Sequence, residues 1–80
     1  MSSDNTQVTI VLDRSEALVL FEWIAANEQA KAHREPNNSA EGRVIWRIEG
    51  QLESLLPEVF MPGYALLVEA ARMDVLNKSI

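Results

Sequence analysis

The stretch EALVLFEWIAANEQA, Glu16 to Ala30, decides the fold. At about 100° per residue, the spacing of a helix, Ala17, Leu18, Leu20, Phe21, Ile24 and Ala25 form one broad apolar stripe. Val19, Trp23, Ala26 and Ala30 form a second stripe on nearly the opposite side. Glu22 and Gln29 flank it on one edge, Glu16 and Asn27 on the other. A surface helix ordinarily carries one apolar stripe, so the first predicts a core face and the second predicts a cover. Three covers are open: the N-terminal segment folded back, a second copy of the chain, or a different protein.

Upstream of this helix stands DRSE, Asp13 to Glu16. An aspartate followed three residues later by a glutamate is a capping box, in which each satisfies an orphan backbone N–H of the other's turn. The first helix is therefore expected over 14–33. Before it, QVTIVL (Gln7–Leu12) is rich in β-branched residues and short, and is expected to be a strand over 7–12. A lone strand needs a partner; PEVF (Pro57–Phe60) is the only other candidate in the chain. Residues 1–6 are polar and expected to be flexible.

Downstream, REPNNSAEG ends the first helix and starts the second. Glu35 precedes a proline, which biases it away from helical backbone, and Asn38 with Glu41 repeats the capping-box spacing. The second helix is expected over 39–56, stopped by Pro57, with Val44, Ile45, Ile48, Leu52, Leu55 and Leu56 on one stripe. Gly50 costs such a helix about 1 kcal/mol relative to alanine, which predicts a close backbone approach there. Pro62 suits the first position of a third helix over 62–76, in which Leu66, Leu67, Ala70, Ala71 and Met73 cluster. The fold class expected is mainly α: a short N-terminal β-strand followed by a three-helix bundle, in a single domain over 1–80.

Composition narrows the function. An 80-residue chain buries only about 60% of its unfolded surface, so it gains from a staple or a partner. There is no cysteine and a single histidine, which leaves no disulfide and no thiolate or His-rich metal site. No metal and no cofactor are expected. The start MSSDNTQ has no basic segment followed by an apolar run, so a signal peptide is not expected. No apolar run approaches the roughly 20 residues that span a bilayer; a cytoplasmic location and no membrane contact are expected. The formal charge of −5 argues against direct nucleic-acid binding. It suits a basic protein partner.

Catalytic patterns are absent. His33 is alone near a helix C-terminus, Ser15, Ser39 and Ser54 have no histidine partner, and Gly42, Gly50 and Gly63 are isolated. Glu49 and Glu53 might suggest an acid–base pair, but such pairs need a cleft with one carboxyl shifted by burial, and a small helical domain offers little cleft. A DNA-reading third helix would need basic and amide side chains on its outer face; it has Arg72 against Glu69 and Asp74. An enzyme is not expected.

The second helix carries its own anomaly. Trp46 projects away from the apolar stripe, between Arg43 and Glu49, with Glu53 close by. Glu49 and Glu53 form an i,i+4 like-charge pair, and so do Arg43 and Arg47; each costs a few tenths of a kcal/mol. A solvated face is the plain explanation. The functional one is an acidic-aromatic recognition patch, since tryptophan is enriched among binding hot spots.

RSEALVLFEWIAA together with VIWRIEGQLESLLPEVFMPGYALLVEAAR resembles a group of small, acidic, uncharacterised bacterial proteins. The resemblance covers about Thr9 to Arg72 and is carried by core positions plus Trp46, Glu49, Glu53 and Tyr64. It implies no activity; by analogy of class, some small acidic proteins of this kind look like immunity proteins of bacterial competition systems. The resulting expectation is a non-catalytic protein-binding module, an immunity protein or antitoxin that occludes the basic active site of a toxin such as a nuclease. Trp46, Glu49 and Glu53 are its expected partner-binding centre, with Glu22 and Tyr64 nearby. The alternative is a structural homo-oligomer or accessory protein, a homodimer at its simplest, whose interface is Val19, Trp23, Ala26, Val8 and Ile10.

Overall fold

A computed structural model describes residues 6–30 and 39–78, with the backbone alone for 27–30. The chain is mainly helical: α1 spans Arg14–Ala30, α2 Ala40–Leu55 and α3 Tyr64–Asn77, with one turn of 3-10 helix at Pro57–Phe60 between α2 and α3.

Local chemistry sets each helix start. At α1, Asp13 Oδ1 accepts from the Glu16 N–H at 2.8 Å, and Glu16 Oε1 accepts from the Asp13 N–H at 2.9 Å. This is the expected capping box; the expected last turn, 31–33, lies outside the described residues. At α2 the cap is Ser39, whose Oγ accepts from the Gly42 N–H at 2.9 Å. Its extended backbone (φ −145°, ψ 155°) aims the hydroxyl at that N–H. The cap expected at Asn38 lies outside the described residues.

α2 stops one residue earlier than expected. Leu56 leaves the helix at φ −121°, ψ 84°, because a residue before proline is crowded out of helical backbone. Pro57 then starts the 3-10 turn, so PEVF is not a strand. Pro62 does not open α3. Gly63, at φ 80° and ψ 13°, fits the third position of a type II turn whose second position is the proline. The Gly63 carbonyl accepts from the N–H groups of Leu66 (2.9 Å) and Leu67 (3.1 Å), and α3 begins at Tyr64.

α1 is the centre of the packing. Both α2 and α3 rest on it, while α2 and α3 have little direct contact among the described residues. Phe21, Ala17 and Leu18 of α1 meet Leu56 and Ala71 in one buried cluster, with Val19, Leu52, Val59 and Tyr64 packed at its edge. Ile24 and Val68 are also buried. The first stripe of α1 is thus the core face, as its periodicity implies.

Three expectations about packing need correction. On α3, Leu66, Ala70 and Met73 are exposed; Val68 and Ala71 are buried and Tyr64, Leu67 and Val75 half-buried. The helix carries apolar residues on two opposite faces, so periodicity alone does not choose its inner face. On α2, Val44 and Leu55 are exposed, because α3 does not close over that side. Gly50 is exposed, and a Cβ added to it would meet nothing within 4 Å; no backbone approaches it.

Gln7–Leu12 forms no strand in the structure. Val8, Ile10 and Val11 are exposed, and no ladder partner is present among the described residues. The segment does not cover the second face of α1. It runs beside α2, where Gln7, Val8, Thr9 and Ile10 share a concavity with Arg47 and Gln51.

Two glycines make opposite predictions. Gly50→Ala should stabilise the fold by about 0.5–1 kcal/mol, seen as a higher Tm. Gly63→Ala forces an alanine into left-handed backbone and should destabilise by about 1–2 kcal/mol. A thermal melt of each variant checks both signs.

Candidate functional site

The positions singled out as a partner-binding centre separate into two places. Trp46, Glu49 and Glu53 fall on one line along α2, spaced i, i+3 and i+7, and border a shallow concavity with Arg47, Gly50, Gln51 and Ser54. Trp46 is 58% exposed. Glu53 is exposed and pairs with no cation among the described residues; Glu49 is half-buried. The face is polarised. Glu53 in the last turn of α2 is opposed to the helix dipole, which favours anions at the N-terminus and cations at the C-terminus; in the first turn Glu41 complements the dipole and Arg43 opposes it.

Glu22 and Tyr64 are elsewhere, at the joint of α1 and α3. Tyr64 donates its hydroxyl hydrogen to Glu22 Oε1 at 3.0 Å, and the pair lines a small hollow with Ala65, Val68, Glu69 and Arg72. Tyr64 packs on the core, so the pair is a tie between helices. Burial, reinforced by the hydrogen bond to Glu22, pushes the phenol up to about 12 from an ordinary 10.0.

No family model, curated protein or solved structure matches the chain.

The residues expected at an oligomer interface are also divided. Val19 packs on the core cluster. Trp23 and Ala26 are exposed on the outer face of α1, and the side chain of Ala30 lies outside the described residues. Val8 and Ile10 lie with α2. Ile10 also lines an apolar groove with Leu12, Ala17, Leu52, Leu55 and Leu56, so it shares a surface with α2 and the start of α1 and not with Trp23.

Two ionic clasps escaped the sequence reading. Arg14 forms a forked pair with Glu58, its Nη2 donating to Oε1 at 2.9 Å, and Nη2 also lies 3.5 Å from the Leu55 carbonyl at the end of α2. The hydrogen bond from Arg14 holds the Glu58 carboxyl below the usual carboxylate range. Lys78 pairs with Asp13 and lies 3.8 Å from Glu16, tying the end of α3 to the cap of α1. Both pairs join residues more than forty apart in sequence, and no local pattern announces them.

Among the described residues, no group of three or more His, Cys, Asp or Glu could hold a metal ion. No helix there is long and apolar enough to cross a membrane. His33 lies outside the described residues.

Tyr64 is the chain's only tyrosine, so its titration is directly visible in phenolate absorbance. Because the folded value is raised, its contribution to stability is present below the unfolded value of about 10 and is lost as pH rises toward about 12. The titration should be displaced to higher pH in the folded protein and return to ordinary values in denaturant. Glu22→Gln should shift it down only in part, since burial is the larger cause. An unshifted titration in the native protein would disprove the half-buried contact.

Proposed function

We propose that the chain is a non-catalytic protein-binding module, an immunity protein or antitoxin that occludes the basic active site of a toxin such as a nuclease. The observation that carries this reading is Trp46, 58% exposed on a helix face it shares with Glu49 and Glu53. An exposed tryptophan beside carboxylates joins a large, rigid contact area to a charge that suits a cationic cleft. The charge order along α2 supports recognition over stability. Like charges sit at i,i+4, and Glu53 in the last turn opposes the dipole although Glu41 in the first favours it, so the helix loses a few tenths of a kcal/mol at each unfavourable feature. Such a pattern gives a partner direction as well as affinity: the Glu49–Glu53 end seeks cations and the Arg43–Arg47 end avoids them.

A structural homo-oligomer is the second reading, favoured by the exposure of Trp23 and Ala26 on one face of α1 and of Val8 and Ile10 beside α2. Pairing of the 7–12 segment with a strand edge of another chain belongs to this reading. An extended, β-branched segment with open backbone groups is a template for such pairing. A cytoplasmic location fits either reading.

The test uses purified nuclease toxin domains with basic clefts, and follows both binding and inhibition of nuclease activity. Trp46→Ala should weaken binding by about 2 kcal/mol or more while leaving the melt nearly unchanged, because the side chain is largely exposed. Glu53→Lys should move the two readouts in opposite directions. It weakens binding, yet stabilises α2 by about 0.3–1 kcal/mol by relieving the dipole conflict. Equal inhibition by the native protein and both variants would remove this face from the function.

A further inference from the structure

Gly50 stands in the middle of α2, where glycine is among the least favourable residues. The fold gives no reason for it. The residue is exposed, a Cβ there would meet nothing within 4 Å, and the positive φ among the described glycines belongs to Gly63.

Its neighbours on the helix give it a use. Trp46, Gly50 and Ser54 are spaced i, i+4 and i+8 and follow one line along α2. Helical side chains lean toward the N-terminus, so a side chain at 50 would lie over the turn that carries Trp46 and pack on its indole. Glycine leaves that side of the ring bare, and Trp46 is 58% exposed. Glu53, one turn beyond Gly50, leans back over the same bare turn by the same rule. It is exposed and pairs with no cation among the described residues. The concavity bordered by Trp46, Gly50 and Glu53 is thus a notch with an aromatic wall at one end and an open carboxylate at the other. Arg47 stands on the opposite flank, about 120° around the helix from Glu53.

We infer that this notch receives one arginine side chain of a protein partner, with its guanidinium stacked on the Trp46 indole and paired with Glu53. The inference rests on the reading of this face as a partner surface, and names what the surface holds. An apolar side chain would fill the notch and leave the Glu53 carboxylate unanswered. A lysine would answer the charge as a compact, strongly hydrated point. A guanidinium is planar, more weakly hydrated and carries five N–H donors, so it covers the indole and donates to the carboxylate at once. Glycine at 50 lets the aliphatic stem of that arginine lie against the helix backbone. The residue that weakens α2 is therefore the one that opens the site.

The probe is a capped tripeptide with a central arginine, titrated into the full chain while the indole N–H signals of its two tryptophans are followed by NMR. Trp46→Phe assigns the signals. The arginine peptide should displace the Trp46 signal saturably and leave Trp23 unmoved. Peptides with citrulline or norleucine at the centre, which lack the charge, should bind about threefold or more weakly. Gly50→Leu should move two readouts in opposite directions. The melting temperature rises, because leucine favours the helix and the site is open, while affinity for the arginine peptide falls by about fivefold or more as the new side chain covers the ring. Glu53→Gln should weaken the arginine peptide and Arg47→Gln should strengthen it. No saturable displacement at Trp46, equal binding of the citrulline or norleucine peptide, or undiminished binding by Gly50→Leu would overturn the inference. Toxin inhibition judges the face separately. Inhibition lost in Trp46→Ala and fully kept in Gly50→Leu would retain the face and remove the notch; specific arginine binding with equal inhibition by every variant would retain the notch and remove the toxin reading.

Discussion

Phe21 fills the one place where all the elements meet. Around it stand Ala17 and Leu18 of α1, Leu56 at the corner after α2, and Ala71 of α3. α2 and α3 barely touch each other and are joined through α1 and the 3-10 turn. The chain is therefore not a closed bundle in which each helix supports two others. It is a central helix whose one core face receives both neighbours, and the stability of each neighbour depends on α1. The corner at Leu56 matters for the same reason. Pro57 forces Leu56 out of helical backbone, and that departure delivers its side chain into the cluster.

The charged contacts reinforce one end of this arrangement. The N-terminus of α1 receives the 3-10 turn through Arg14 and Glu58, and the end of α3 through Lys78 and Asp13. Asp13 thus serves twice, with one oxygen on the Glu16 N–H and the other on Lys78. At the joint of α1 and α3, Tyr64 and Glu22 tie the two helices together. Ion pairs as exposed as Arg14–Glu58 contribute little individually. Their role here is geometric: they fix which part of each neighbour lies against α1.

Much of the fold is legible in local sequence. DRSE starts α1 because both partners of the capping box lie within one turn, and the Ala17–Phe21–Ile24 stripe is buried because it is the broader of two. The Trp46–Glu49–Glu53 line is equally legible, since it needs only the helix period. What escapes is set by tertiary contact. α3 has apolar residues on two opposite faces, and the face turned inward is the one whose tyrosine bonds a carboxylate 42 residues away. MPGY carries a proline suited to a helix start and also to a turn. The glycine after it decides, because only the turn uses left-handed backbone. QVTIVL has the composition of a strand, and no second strand among the described residues pairs with it. Gly50 shows the limit from the other side: the pattern points to a close approach, and the site is open.

The distribution of apolar residues then becomes the informative feature. Among the described residues seven apolar side chains are buried, while Trp23, Trp46, Leu66 and Met73 stand exposed on three different helices. These residues differ in what surrounds them. Trp46 is bordered by Glu49 and Glu53 on the helix face that carries the proposed recognition surface. Leu66 and Met73 lie on the side of α3 away from Val68 and Ala71, with the exposed Glu69–Arg72 ion pair between the two faces. Because α2 and α3 both rest on the Ala17–Leu18–Phe21 face of α1 and have little direct contact with each other among the described residues, neither covers the apolar residues that the other leaves exposed.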